Sequence, residues 1–227
     1  MNRMLGLTVA SALALGTAVA QADDTRGLYL GVNIGATKLD IDKNAYDAAL
    51  NDALAQSGVT VTSATSSSSE NDASFGVFAG YRILPYLAVE AEWMTLGTGK
   101  YEARGDVTNG ETADTLRFNA ETDSKGVAAS ALGIWPISRT WDVYARLGMI
   151  FATTTLTASA RTNAASVNDN VSEDTQDMLY GVGATYHYSS TWGVRLDYQH
   201  FDGLGDSKTT GETNVDRLAV SWVYSFR

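Results

Sequence analysis

The sequence predicts an all-β fold: an eight-stranded antiparallel up-and-down transmembrane β-barrel, with long extracellular loops and short periplasmic turns. Three observations predict it. Apolar residues recur at every second position, the spacing that puts side chains on one face of a strand. The connections between these segments alternate between tight and long, the asymmetry of membrane barrels. No apolar run approaches the roughly 18 residues of a transmembrane helix, so an exported chain that crosses a membrane must do so with strands.

Export is read from the first residues. Arg3 supplies a positive start, Met4 to Leu15 is apolar or small, and Ala20-Gln21-Ala22 fits a small-x-small cleavage pattern. We place the cut after Ala22, with Ala18-Val19-Ala20 as the second choice and an uncleaved anchor helix as the alternative. The expected division is a cleaved signal peptide over 1–22 and a barrel over 23–227.

The elements follow in order. Leu28, Leu30, Val32 and Ile34 share one face of the first segment, with Gly31, Asn33 and Gly35 on the other. A long connection, 40–72, carries a helical stripe at Tyr46, Ala49, Leu50, Ala53 and Leu54. Asn44 with Asp47 reads as its capped start and Gly58 as its stop, predicting a short helix at about 44–56. Ser63–Ser69 reads as a mobile stretch, and the loop as either an extracellular docking element or a short helix folded over the barrel rim, the latter favoured. Segment two has Phe75, Val77, Ala79, Tyr81 and Ile83 on one face. A tight Leu84-Pro85-Tyr86 turn leads to Leu87, Val89, Ala91 and Trp93 of segment three. After a long connection, 97–122, Leu132 and Ile134 mark segment four. Pro136-Ile137-Ser138 turns into Val143, Ala145, Leu147 and Met149. The connection 160–176 precedes Tyr180, Val182, Ala184 and Tyr186, and Ser189-Ser190-Thr191 turns into Val194, Leu196 and Tyr198. The connection 202–213 leads to the closing set Leu218, Val220, Trp222, Tyr224 and Phe226. Both prolines fall in tight turns, where a missing N–H costs no ladder bond.

Alternation alone does not say which face is wet, and a soluble ligand barrel would bury its apolar face. Apolar-out is favoured because the opposite face is mostly Gly, Ser, Ala and Thr with a few charges, and because Trp135, Trp141 and Trp192 flank short turns. The aromatic set expected at the membrane interfaces is Trp93, Trp135, Trp141, Trp192, Trp222, Tyr224 and Phe226. Eight strands leave an interior about filled by side chains, which excludes a wide porin. The 227 residues carry 26 acidic and 16 basic groups, a net charge of −10, which argues against nucleic-acid binding. Without Cys and with 2 His, thiolate and His-rich metal sites are excluded.

Four motifs then occur in order: Gly80-Tyr81-Arg82-Ile83-Leu84-Pro85-Tyr86-Leu87-Ala88-Val89-Glu90, Trp141-Asp142-Val143-Tyr144-Ala145-Arg146-Leu147-Gly148, Arg195-Leu196-Asp197-Tyr198-Gln199, and the strand from Leu218 to Phe226. In these, the chain from about Gly27 to Phe226 resembles the transmembrane domain of outer membrane protein A. The resemblance implies a barrel in a Gram-negative outer membrane, whose lumen charges plug or gate a narrow ion path. It matches Glu90, Arg146, Arg195 and Asp197 to that network, and departs at Ala131 and Thr185, where the family has a lysine and a glutamate. The family's type member continues into a periplasmic peptidoglycan-binding domain. This sequence stops at Arg227, so no cell-wall tethering is expected. The terminal strand is similar to the aromatic signal read by the barrel-insertion machinery.

Arg82, Glu90, Glu92, Arg146, Arg195 and Asp197 share the inward parity. They read as a lumen salt-bridge network that either closes the barrel or passes small ions slowly; closure is favoured. Glu90 and Glu92 as an acid/base pair lack a substrate cleft. His187-Tyr188-Ser189 invites a lipid-deacylase reading, but lies beside a periplasmic turn rather than the outer leaflet. Asn168-Asp169-Asn170 and 202–206 lack EF-hand spacing. The expectation is a non-enzymatic barrel for envelope integrity and surface contact, without cofactor or metal. Its expected partners are outer-membrane lipids, lipopolysaccharide, the insertion machinery and receptors met through the loops.

Overall fold

Period-two patterning produces long strands, and they close on themselves. The computed structural model describes residues 26–39, 43–56, 60–69, 71–108, 113–162, 166–204 and 213–226. The leader expected over 1–22 and the stop expected at Gly58 lie outside them. The elements are β1 (Gly27–Leu39), α1 (Lys43–Gln56), β2 (Thr60–Ser69), β3 (Asn71–Leu84), β4 (Leu87–Thr108), β5 (Ala113–Pro136), β6 (Trp141–Arg161), β7 (Ser166–His187), β8 (Trp192–Leu204) and β9 (Thr213–Ser225). The ladder runs β2-β4-β3-β1-β9-β8-β7-β6-β5, and β4 also pairs with β5. Eight antiparallel strands thus form a ring, with β2 as a ninth strand flanking the upper part of β4.

The outer face is apolar up to a sharp boundary. Ile34, Phe75, Trp93, Val127, Phe151, Met178, Tyr198 and Leu218 are exposed large hydrophobics facing outward. One or two outward positions further on stand Lys38, Thr95, Lys125, Thr153, Gln176, His200 and Asp216. An apolar belt ending at one level on every strand is the lipid-facing band of a membrane barrel, about 25 Å tall. At its periplasmic edge Trp141 packs on Tyr186 at 5.0 Å, and Trp192, Tyr224 and Phe226 meet edge to face in series, each pair at 4.9 Å. Trp135 and Trp222 are also exposed on this side of the barrel, whereas Trp93 stands nearer the upper edge, 6.5 Å from Phe75.

Two of the three periplasmic turns repeat one device. Ser138 Oγ accepts from the amides of Thr140 (3.2 Å) and Trp141 (3.0 Å). Ser189 Oγ does the same for Thr191 (3.3 Å) and Trp192 (2.9 Å). Ser-x-Thr-Trp is therefore a turn signature: the serine satisfies amides freed by the reversal, and the tryptophan enters the interface.

Three expectations are corrected. The connections 97–122 and 160–176 are largely strand, because β4 to β7 continue as a sheet above the boundary. There water rather than lipid meets the outer face, so the outward apolar alternation that marks a membrane strand disappears while the hydrogen-bond ladder persists. Ser63–Ser69, read as mobile, is part of β2 and pairs with β4 from Asp106 to Lys100. Leu132 and Ile134 face the lumen; the outward side of β5 carries Val127, Ala129, Ala131, Gly133 and Trp135. Small residues suffice against lipid, and the bulky ones fill the interior under the charges.

At Gly97 (φ 82°) β4 bulges, its register shifting between Thr95 and Thr98. A side chain there would meet Asp72, whose carboxylate accepts from the amides of Thr98 (2.6 Å) and Ala73 (2.8 Å). The bulge lets β4 leave β3 and take β2 as its neighbour. Above it α1 lies over the lumen-side face of the sheet, Leu50 packing with Phe118 and Leu156 against Tyr101, Ala103 and Ala120. Tyr101 donates to the Asp47 carboxylate of α1.

Candidate functional site

The lumen is layered. At mid-height lie three carboxylates, Glu90, Glu92 and Asp197, and three guanidiniums, Arg146, Arg195 and Arg217, all buried. Their formal charges cancel. Glu90 accepts from Tyr29 (3.0 Å), Arg195 Nη1 (2.7 Å) and Arg146. Glu92 accepts from Asn33 Nδ2 (2.8 Å), Arg146 Nη1 (3.0 Å), Arg217 Nη1 (2.8 Å) and, more weakly, Gln199 Nε2 (3.4 Å). Asp197 accepts from Tyr144 and stands 3.5 Å from Arg146. Arg146 therefore touches all three carboxylates. The carboxylates are thus well satisfied, although Arg146 Nε is buried without a hydrogen-bond partner among the described residues; desolvation costs several kcal/mol per ion and is offset by close pairing and hydrogen bonding.

Arg195 has a second kind of support. Its guanidinium lies over the rings of Phe78 (4.9 Å), Tyr144 (5.1 Å) and Tyr29 (5.4 Å). Each ring crosses a glycine on the neighbouring strand: Tyr29 over Gly80, Phe78 over Gly31, Tyr144 over Gly183. A Cβ on any of these glycines would sit within the ring it faces, so the glycines are the floor of an aromatic cage.

Above the charges, toward the extracellular mouth, the lumen turns apolar. Leu39, Met94, Leu96, Ala128, Ile150, Ala152, Leu179, Phe201, Leu204 and Val215 form one buried cluster. Below, Tyr29, Phe78, Ala88, Leu132, Ile134, Tyr144 and Val223 form another. A recess opens beneath it on the periplasmic side, lined in part by Arg82, Asp142, His187 and Arg195. Within it Arg82 Nη1 donates to Asp142 (2.8 Å), and His187 Nε2 lies 3.0 Å from the same carboxylate.

The structure thus brings Glu90, Glu92, Arg146, Arg195 and Asp197 together and leaves Arg82 in a separate periplasmic cluster. Ala131 lies on the outer face, so no residue at that position reaches the network, whereas Thr185 faces inward and accepts from Arg195 Nε (3.4 Å). His187 and Ser189 do not combine: one serves Asp142, the other its turn. His200 bonds Asp216 (2.7 Å) and packs on Tyr180. Sequence reading missed Arg217, 1% exposed and bonded to Glu92, Gln199 (3.0 Å), Ser74 (3.0 Å) and Asn33. Its signal was present, since Arg217 has the parity opposite Leu218 and Val220. The apolar plug was also missed, because Met149-Ile150-Phe151 and Met178-Leu179-Tyr180 are apolar on both parities and hide the inward residue.

A closed ring that shows apolar side chains to its surroundings and holds paired charges inside is an integral membrane β-barrel. The family model of the OmpA-like transmembrane domain matches residues 21–227, and the chain belongs to that family. Outer membrane protein A of Serratia marcescens is 31% identical over 155 residues, covering 67% of this chain and 38% of the relative. That of Klebsiella pneumoniae is 33% identical over 155 residues, 67% of this chain and 40% of the relative. The chain thus spans about two fifths of the length of these relatives. Solved barrels of related outline include the attachment invasion locus protein Ail of Yersinia pestis, 12% identical with a TM-score of 0.44, covering 88% of this chain and 99% of that one. Neisserial surface protein A is 11% identical with a TM-score of 0.45, covering 88% and 97%. The chain is a protein of the Gram-negative outer membrane.

Proposed function

We propose that this chain is a non-enzymatic barrel serving envelope integrity and surface contact, with its lumen closed to ions. The observation that carries the reading is the neutral charge layer beneath the apolar plug. A hydrated ion would have to part charge pairs and then shed water against Phe201 and Leu179; both steps are costly. The engagement of His187 with Asp142 and of Ser189 with its turn supports a role without catalysis. The proposed lipid partners follow from the outer face, with Lys38 and Lys125 just above the apolar band where lipopolysaccharide phosphates would lie. The insertion machinery and surface receptors complete the proposed partners.

The periplasmic recess that reaches Arg195 favours a second reading, a narrow ion path. Planar-bilayer recording separates the two. The purified barrel is expected to show no unitary conductance; regular channel steps that vary with substitution of Arg146 would overturn closure and establish the pore.

A further inference from the structure

We infer that the outer edge of β7 above the membrane, Ser166–Gln176, is a docking edge for an extended, basic polypeptide segment, which would add to the sheet as a further strand. Among the described residues β7 pairs with β8 only from Met178 downward, with Met178 opposite Asp202. Above that level its inner side is fully laddered to β6, from Ser166 opposite Arg161 to Asp177 opposite Ile150, with no register shift. The other side presents a straight edge about 35 Å long at strand rise. Every residue from Ser166 to Ser172 is exposed, and Val167 is 65% exposed.

Edges of this kind are normally guarded against pairing by lysine, proline, a bulge or a cover. This one has no Lys, Arg or Pro from Ser166 to Gln176, and no bulge. Its charges are all negative. Asp169 and Glu173 lie on the lumen-side face, and Asp174 lies on the other, where Thr153 donates to it at 2.7 Å. That distribution chooses the occupant. The same edge of a second copy would set carboxylates opposite carboxylates, which is unfavourable for cross-strand pairs. A strand with lysine or arginine at successive positions would meet opposite charge on both faces, while its backbone satisfies the open N–H and C=O groups. The inference rests on the surface-contact part of the proposed function and is independent of lumen closure, so conductance and docking fail separately.

The test uses the refolded barrel in nanodiscs and two short peptides in which pairs of adjacent charged residues alternate with pairs of threonines, so that charge falls on both strand faces, one peptide lysine-based and one glutamate-based. Amide hydrogen exchange and fluorescence titration are read together. The lysine peptide is expected to bind, to slow exchange within 166–176, and to weaken as salt rises; the glutamate peptide should not bind. D169K with E173K is expected to weaken the lysine peptide about tenfold or more, with the boiling-dependent gel shift of the folded barrel unchanged. N170P, which alters the edge backbone and no charge, should also reduce binding. Three results would overturn the inference: amides of 166–176 already fully protected without peptide, protection appearing along β2 instead, or equal binding to the D169K/E173K variant.

Discussion

Strands β4 to β7 cross two environments, and their two halves differ in which face is apolar. Within the membrane the apolar side chains point outward, as with Leu147, Phe151, Val182 and Trp93. Above it the apolar residues Tyr101, Ala103, Ala120 and Leu156 lie on the lumen side, under α1, while the opposite face is Thr, Asn, Glu and Lys. On β5 and β6 the backbone continues without a register shift, so the inversion is a matter of composition alone. On β4 the Gly97 bulge changes parity. The lesson is that the solvent on each side, rather than the strand, sets the pattern: lipid draws apolar groups out, and water sends them behind a helix.

Substitutions can break this contrast, in descending order of effect. Glu92→Ala removes the partner shared by Arg146 and Arg217 and is expected to cost about 3–5 kcal/mol in denaturant unfolding in micelles. Adding Arg217→Ala should then cost less than the sum of the two single changes, as should Glu90→Ala with Arg195→Ala; strict additivity would show that the layer is not coupled. Leu196→Arg, on the lipid face, should cost roughly 2–4 kcal/mol. Thr157→Arg, outward but above the band, should stay within about 0.5 kcal/mol. Equal costs for these two would erase the membrane boundary drawn at Thr153. Leu50→Ala should loosen only the upper sheet, by about 1 kcal/mol in local amide exchange, and leave global unfolding unchanged.

Alkaline pH should sharpen the contrast further. Burial, reinforced by the Asp47 carboxylate, pushes the Tyr101 hydroxyl up from 10.0 to about 12. A phenol whose folded value is raised stabilises fully below its unfolded value and loses that contribution as pH rises toward about 12. Proteolysis of the upper sheet is therefore expected to rise over that window while the membrane barrel persists, and Tyr101→Phe should remove the pH dependence without removing the fold.

Much of the barrel was legible because lipid enforces a strict alternation, visible from Leu28 to Ile34 and from Leu218 to Phe226. The upper sheet was not, since from Thr153 to Ser159 a lone large apolar residue, Leu156, stands among Thr, Ala and Ser, and only ladder geometry shows a strand. β5 misled because its bulky residues, Leu132 and Ile134, serve the interior. In the lumen, parity located Glu90, Glu92, Arg146, Arg195 and Asp197, yet parity cannot measure height. That is why Arg82, at the periplasmic end, was grouped with residues deep in the barrel.

The Arg146 hub has a mechanical consequence. Backbone ladders join each strand only to its neighbours, so a ring held by ladders alone flattens easily. The charged layer instead ties β4 to β6, β8 and β9, and through Asn33 and Ser74 reaches β1 and β3. These ties act as spokes across a wheel. The cross-section should resist becoming elliptical under lateral pressure, and the stiffness of the wall comes from side chains at its centre.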